Sequence, residues 1–253
     1  MGNDHKVAYN SVVSDSSTEN ISLIDIPFRH RHQCWFCGEP SLNTFTFPHD
    51  YPLPKYQLDI SPLAEPQNIH RHHQGYVVLD CPHPMLKVPS CGECHTIARK
   101  VKADDIWLVT KAVKSKLMQR YQKDLAIGAN WTKDELENSE FDDASFSGFK
   151  RSAWFIYEVA KGRVNFSAWP LSYQGVTIEQ QESSTPFIFD DITYPSIEDA
   201  VLHFSKIYSL NILFFKTVLA KVGHNRFAYA VRFCRLQVGA TPTEQRLSLQ
   251  SLL

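Results

Sequence analysis

Between residues 105 and 125, apolar side chains recur at helical spacing, at Ile106, Val109, Val113, Leu117, Tyr121 and Leu125. The stripe predicts one long amphipathic helix. Lys111, Lys114, Lys116, Arg120 and Lys123 fill much of the remainder and make its outer positions basic. Strand-like runs are shorter. Phe45-Thr46-Phe47 and Tyr76-Val77-Val78-Leu79 read as strands, with an irregular, proline-punctuated loop over 48–66 between them. Farther along, Phe187-Ile188-Phe189 and Ile192-Thr193-Tyr194 flank Asp190-Asp191. That is the spacing of a two-residue hairpin, although Asp-Gly would suit a type I′ turn better.

Polar residues mark where several helices begin and end. Thr132 and Glu135 form a capping box, and Ser196 with Asp199 three residues on opens another helix. A third runs over 212–222 and stops at Gly223. The next begins after Asn225 and buries Phe227, Ala230, Val231 and Cys234, which leaves Asn225, Arg232 and Arg235 on another face. The middle of the chain is less legible. Residues 145–148 read as a flexible break, and the aromatic-rich stretches 153–159 and 164–169 fit helix and strand equally. Residues 1–26 are polar and aperiodic, the pattern of a mobile arm.

A chain of 253 residues can bury its core without disulfides, so any metal is local scaffolding rather than the sole support. With 26 basic and 27 acidic residues, net charge decides nothing about partners, and the distribution matters instead. Residues 201–243 hold Lys206, Lys216, Lys221, Arg226, Arg232 and Arg235 with no acidic residue, a balance that suits phosphate contacts as well as a solvated helical face. Lys221, Arg226, Arg232 and Arg235 are the candidate nucleic-acid contacts. No stretch approaches the roughly 20 apolar residues of a membrane span, and no basic segment precedes an apolar run at the start. A soluble, cytoplasmic protein is expected, in keeping with the unpaired Cys81 and Cys234.

Eight of the eleven histidines and five of the six cysteines lie between His30 and His95. Four of those cysteines form two CxxC pairs, Cys34-Trp35-Phe36-Cys37 and Cys91-Gly92-Glu93-Cys94. Four thiolates so spaced suit one tetrahedral zinc ion, and a closed set of four leaves no coordination position for substrate, so the ion is structural. Gly38 after the first pair allows the positive φ of a zinc knuckle. The second pair precedes helix-compatible sequence, and knuckle plus helix start is the outline of a treble clef.

Residues 30–100 resemble the zinc-stabilised HNH endonucleases in their CxxCG, a strand ending in His, and a second CxxC followed by His. The resemblance implies a ββα element, with His49 as the general base and His95 as a helix ligand of a second ion, Mg²⁺ or Mn²⁺, that Asp50 would help to hold. Two positions depart from the family. Pro48 stands where a metal-binding Asp or His precedes the base, and Met85-Leu86-Lys87 where an Asn is expected. His70, His72 and His73 offer a second placement of the base. The run from Phe187 through Asp190-Asp191 and Tyr194 to Ser196-Ile197 and Asp199-Ala200 resembles nuclease-associated modular DNA-binding repeats, with Asp191 replacing their glycine.

The expected fold class is α+β. A mobile arm (1–26) precedes a treble-clef zinc domain with a basic helical extension (27–145), an unassigned middle segment (146–186) and a C-terminal hairpin and helix-turn-helix-like domain (187–253). The expected function is DNA binding on a zinc scaffold related to HNH endonucleases, with catalysis degenerate at Pro48 and Leu86. An active endonuclease and a zinc-built protein-interaction adaptor are the alternatives. Homing, phage defence and replication of a mobile genetic element all remain open.

Overall fold

The computed structural model describes residues 26–48, 86–139, 144–173, 175–180 and 185–252. His49, Asp50, His70, His72, His73, Cys81, the strand expected at 76–79 and nearly all of the N-terminal arm lie outside them. The architecture is α+β, with helices around three small antiparallel sheets of two strands each among the described residues.

Two strands, β1 (Asn43–Phe47) and β2 (Leu86–Ser90), pair antiparallel with Phe45 opposite Val88 and Phe47 opposite Leu86. Phe45 and Phe47 are buried while Thr44 faces solvent, the period-two pattern of a strand with one covered face. β2 leads directly into α1 (Gly92–Ala98), whose N-cap is Cys91. The first CxxC folds against this pair, with the Trp35 N–H donating to the Pro89 carbonyl at 2.9 Å.

A long amphipathic helix was expected over 105–125, and the structure divides it. α2 (Ile106–Arg120) starts on Asp105, whose carboxylate accepts from the Leu108 N–H at 2.7 Å, and buries Ile106, Val109, Val113 and Leu117. Tyr121 then leaves helical geometry, and α3 (Gln122–Asn130) continues beyond the predicted end. The bend turns the Tyr121 hydroxyl toward Glu93 and still keeps Leu125 in the core. α4 (Lys133–Glu137) carries the predicted capping box of Thr132 and Glu135.

The middle segment is mostly helix. α5 (Ala144–Asn165) runs through the expected break at Gly148 and through the first of the two ambiguous aromatic stretches. It buries Tyr157, Ala160 and Val164 and packs against α2, α3 and α4. A Cβ at Gly128 of α3 would lie 2.1 Å from the Tyr157 ring, so only glycine permits this approach. Beyond α5 the chain carries Trp169 and Leu171 inward and forms a small hairpin of β3 (Ser172–Tyr173) and β4 (Val176–Thr177).

The C-terminal part follows its sequence pattern closely. β5 (Phe187–Phe189) and β6 (Ile192–Tyr194) form the expected hairpin, and Ser196 caps α6 (Ile197–Ile207) by accepting from the Asp199 N–H. α7 (Ile212–Val222) ends at Gly223, and α8 (Phe227–Leu236) buries the four expected residues. α9 (Pro242–Gln250) opens with a second capping box, Thr241 and Glu244. Phe227 is the hub of this half, with the rings of Phe187, Phe189, Phe204 and Phe215 at 4.8–5.6 Å. α6 also packs on α2 and α3, so one apolar core joins both halves. Among the described residues no helix is long and apolar enough to cross a membrane.

Candidate metal centre

The two CxxC pairs reach one point from different elements. In the first, the Cys34 N–H donates to the Glu39 carbonyl and the Gly38 N–H to the Cys34 carbonyl, closing a tight turn. Gly38 has φ +79°, and a Cβ there would lie 2.5 Å from the Phe166 ring, so both backbone and packing demand glycine. In the second, the Cys94 N–H points at the Cys91 sulfur, 3.5 Å away, within the first turn of α1. Four sulfurs result within 4.8 Å of one another, with Cys34, Cys37 and Cys94 buried and Cys91 partly so.

The spacing suits a metal rather than disulfides. All four thiols are free, and the sulfurs of Cys37 and Cys91 stand 3.7 Å apart, against about 2.05 Å for a bond between them. Four sulfurs at about 2.3 Å from a tetrahedral zinc ion would be separated by about 3.8 Å. Thiols packed this closely share protons. Hydrogen bonds from Cys34 and its neighbours push the Cys91 thiol far down, those from Cys34 bring Cys37 to about 7, and the same sharing pushes Cys34 and Cys94 up. A soft cation that takes all four as thiolates displaces those protons.

Two cations attend the cluster: sequence reasoning passed over Arg163, and it placed Lys114 among the basic outer positions of its helix, whereas the structure turns its ammonium inward onto backbone carbonyls. Arg163, near the end of α5, places Nη2 at 3.5 Å from the Cys37 sulfur and 3.9 Å from that of Cys91. The same guanidinium pairs with Glu93 at 2.7 Å, approaches Glu39 at 3.7 Å and donates to the Tyr121 hydroxyl. Burial opposes its charge, but hydrogen bonding and charge from Cys37 and Glu93 hold it protonated above the ordinary arginine range. Lys114 is the other. Its ammonium donates to the carbonyls of Arg163, Val164 and Phe166 at 2.7–3.1 Å, and burial pushes it down to about 8 against the pull of the cysteines. A zinc ion held by four thiolates would carry two excess negative charges, which these two cations would offset. No local signal announces Arg163, which lies 126 residues from Cys37, between two stretches whose periodicity was ambiguous.

His95 sits on α1 beside the cluster. Its Nδ1–H donates to the Thr44 carbonyl of β1 at 3.1 Å, which leaves Nε2 as the nitrogen with a lone pair. Of the basic residues expected at a nucleic-acid surface, Arg226, Arg232 and Arg235 are exposed on or beside α8. Lys221 is engaged differently, donating to the Leu249 carbonyl at 2.8 Å and tying α9 to α7. Comparison with known proteins finds no matching family, no matching curated protein and no matching solved structure.

Proposed function

We propose that the chain is a DNA-binding protein built on a structural zinc ion. In this reading the knuckle, β1, β2 and α1 form a treble-clef module, and α7 and α8 act as a helix-turn-helix-like pair whose exposed face meets the duplex. The observation that carries it is the surface of α8. Asn225, Ala228, Arg232 and Arg235 follow one another at helical spacing and are all exposed, in a stretch without acidic residues. The Arg235 guanidinium lies 4.2 Å from the Tyr208 ring and that of Arg226 lies 4.5 Å from the Tyr229 ring, so two of the cations are already positioned.

Duplex binding measured across a salt series tests this. Arg232→Ala with Arg235→Ala should weaken binding and flatten the dependence of log affinity on log salt by about two units, because each lost phosphate contact removes about one released counterion. Unchanged affinity and slope in a folded variant would remove α8 from the DNA surface.

Metal-dependent cleavage is a second reading, favoured by the order β1, β2, α1 with the His95 ring bonded back to β1 and Nε2 left for an ion. In it, His49 would be the base and His95 a ligand of Mg²⁺ or Mn²⁺. Nicking of plasmid DNA that depends on either ion and disappears in His95→Ala would establish it, and intact plasmid with every divalent ion tried would leave the binding function alone.

A further inference from the structure

The chain enters the knuckle through a single turn of 3₁₀ helix, Phe28–His30, followed by Arg31 and His32. This turn is anchored from within. The His30 ring stacks on Trp169 with centroids 4.5 Å apart and planes 7° from parallel, and its Nδ1–H donates to the Gln33 side-chain carbonyl at 2.7 Å. The backbone is tied as well, with the His30 N–H donating to the Pro27 carbonyl at 2.8 Å and the Gln33 N–H to the His30 carbonyl at 3.0 Å. An ordered turn therefore carries Phe28, Arg29 and Arg31 outward, and all three are exposed.

Phe28 is the unusual residue, because an aromatic ring left 75% exposed adds little to the core. It is nevertheless positioned. The Arg31 guanidinium lies 3.6 Å from the ring centroid, a cation–π contact that orients the ring while most of its surface stays open. Arg29 stands beside it, with Nε donating to His30 Nε2 at 2.9 Å and both terminal nitrogens without a partner among the described residues. Between residues 26 and 48 the only acidic residue is Glu39, and its carboxylate turns toward Arg163 at 3.7 Å. No carboxylate among the described residues pairs with Arg29 or Arg31.

We infer that this turn is a contact for single-stranded nucleic acid, with an unpaired base stacked on Phe28 and with Arg29 and Arg31 on the neighbouring phosphates. Every base has a π-face, so a lone exposed ring takes any of them, and a strand whose bases are unpaired has one to offer. A guanidinium resting on a ring keeps N–H donors for a phosphate oxygen. An anionic membrane also takes apolar and basic side chains together, but through the apolar face of a longer amphipathic helix than this single turn supplies. A turn ordered in advance loses little conformational freedom on binding. The site belongs to the zinc-bearing half, and the inference does not rest on duplex binding by α8.

Fluorescence anisotropy of the zinc-loaded full chain with a short labelled oligothymidylate tests this. Phe28→Ala should weaken binding about tenfold, the loss expected of one stacked base, whereas Phe28→Trp should preserve it. Arg29→Ala with Arg31→Ala should flatten the dependence of log affinity on log salt by about 1.4 units, since each phosphate contact on a single strand contributes about 0.7. All three side chains are exposed, so circular dichroism and zinc content should match the parent. Oligoadenylate strands of deoxyribose and of ribose should bind as well, and a preference for either sugar names the natural strand and supports the site. Absence of saturable binding by any strand, parent-like affinity in Phe28→Ala, or an equal loss for a blunt duplex overturns it. So does binding to phosphatidylserine vesicles that Phe28→Ala abolishes while strand binding persists. Failure here leaves the Arg232 and Arg235 test untouched, and failure there leaves the Phe28-dependent change intact.

Discussion

His203 shows how one buried side chain sets a pH response. It lies on the inner face of α6, 5% exposed, with Nε2 unpartnered among the described residues. Burial, helped by the charge of Lys206, pushes it from 6.5 down to about 4. Between those values the unfolded chain takes a proton that the folded chain refuses. Stability is therefore whole above about pH 6.5 and is lost as pH falls toward about 4, by roughly 3 kcal/mol at the lower end. His203→Gln has no such proton to take. In urea titrations at several pH values, the parent should lose about 2 kcal/mol more than the variant between pH 7 and 4.5, acid release of zinc being common to both. Parallel losses would show that His203 titrates freely in the folded state. The residues around the sulfurs divide by how far their partners lie. The four cysteines and Gly38 were legible because CxxC spacing and positive φ are local requirements, written within five residues. Arg163 was not, since its value arises only when α5 carries it to Cys37, Cys91 and Glu93.

Among the elements, the β5–β6 hairpin was readable from the two-residue spacing between its apolar runs, yet it holds local strain. Asp190 and Asp191 both adopt the left-handed region, with φ 53° and 55°, which a two-residue hairpin of this hand requires and which glycine enters without penalty. Asp191→Gly should therefore stabilise the protein by about 0.5–1 kcal/mol, seen as a higher urea midpoint at unchanged slope. The substitution removes the 3.4 Å ion pair with Lys161, but Asp191 is 88% exposed and such pairs contribute little. It leaves intact the Asp191 carbonyl that accepts from Asn165. A lower midpoint would mean that the ion pair outweighs the backbone. α5 was illegible for the opposite reason. Its buried Tyr157, Ala160 and Val164 share the helix with exposed Phe149, Phe155, Ile156 and Val159, so apolar residues occupy two faces and the 3.6-residue period blurs. The break at Tyr121 escaped because the apolar stripe continues across it unchanged, and the hydroxyl's partners, Glu93 and Arg163, lie 28 residues earlier and 42 later.

Across the whole molecule, the metal centre and the C-terminal hairpin meet through the last turn of α5 and the segment after it. Arg163 reaches the sulfurs, Phe166 fills the space over Gly38, and Trp169 accepts from Trp35. Two residues beyond Arg163, Asn165 donates to the Asp191 carbonyl at 2.6 Å and accepts from the Thr193 N–H at 2.8 Å. One side chain thus clamps the end of the turn and strand β6 to a helix that, two residues earlier, reaches the cysteines. A structural zinc ion contributes on the order of 10 kcal/mol of apparent binding energy, far more than any single contact along this path. Removal of an ion so held should therefore be felt beyond the four cysteines. Chelation, or Cys91→Ser, should raise hydrogen exchange not only in β1, β2 and α1 but also at the Thr193 amide, which the cysteines never touch. Asn165→Ala should cut the connection. Its Thr193 amide should exchange faster at the outset and respond little to chelation, while β1, β2 and α1 still loosen as in the parent. If chelation of the parent leaves Thr193 protection unchanged, the two halves are thermodynamically separate despite their shared core, and the clamp at Asn165 serves the hairpin alone.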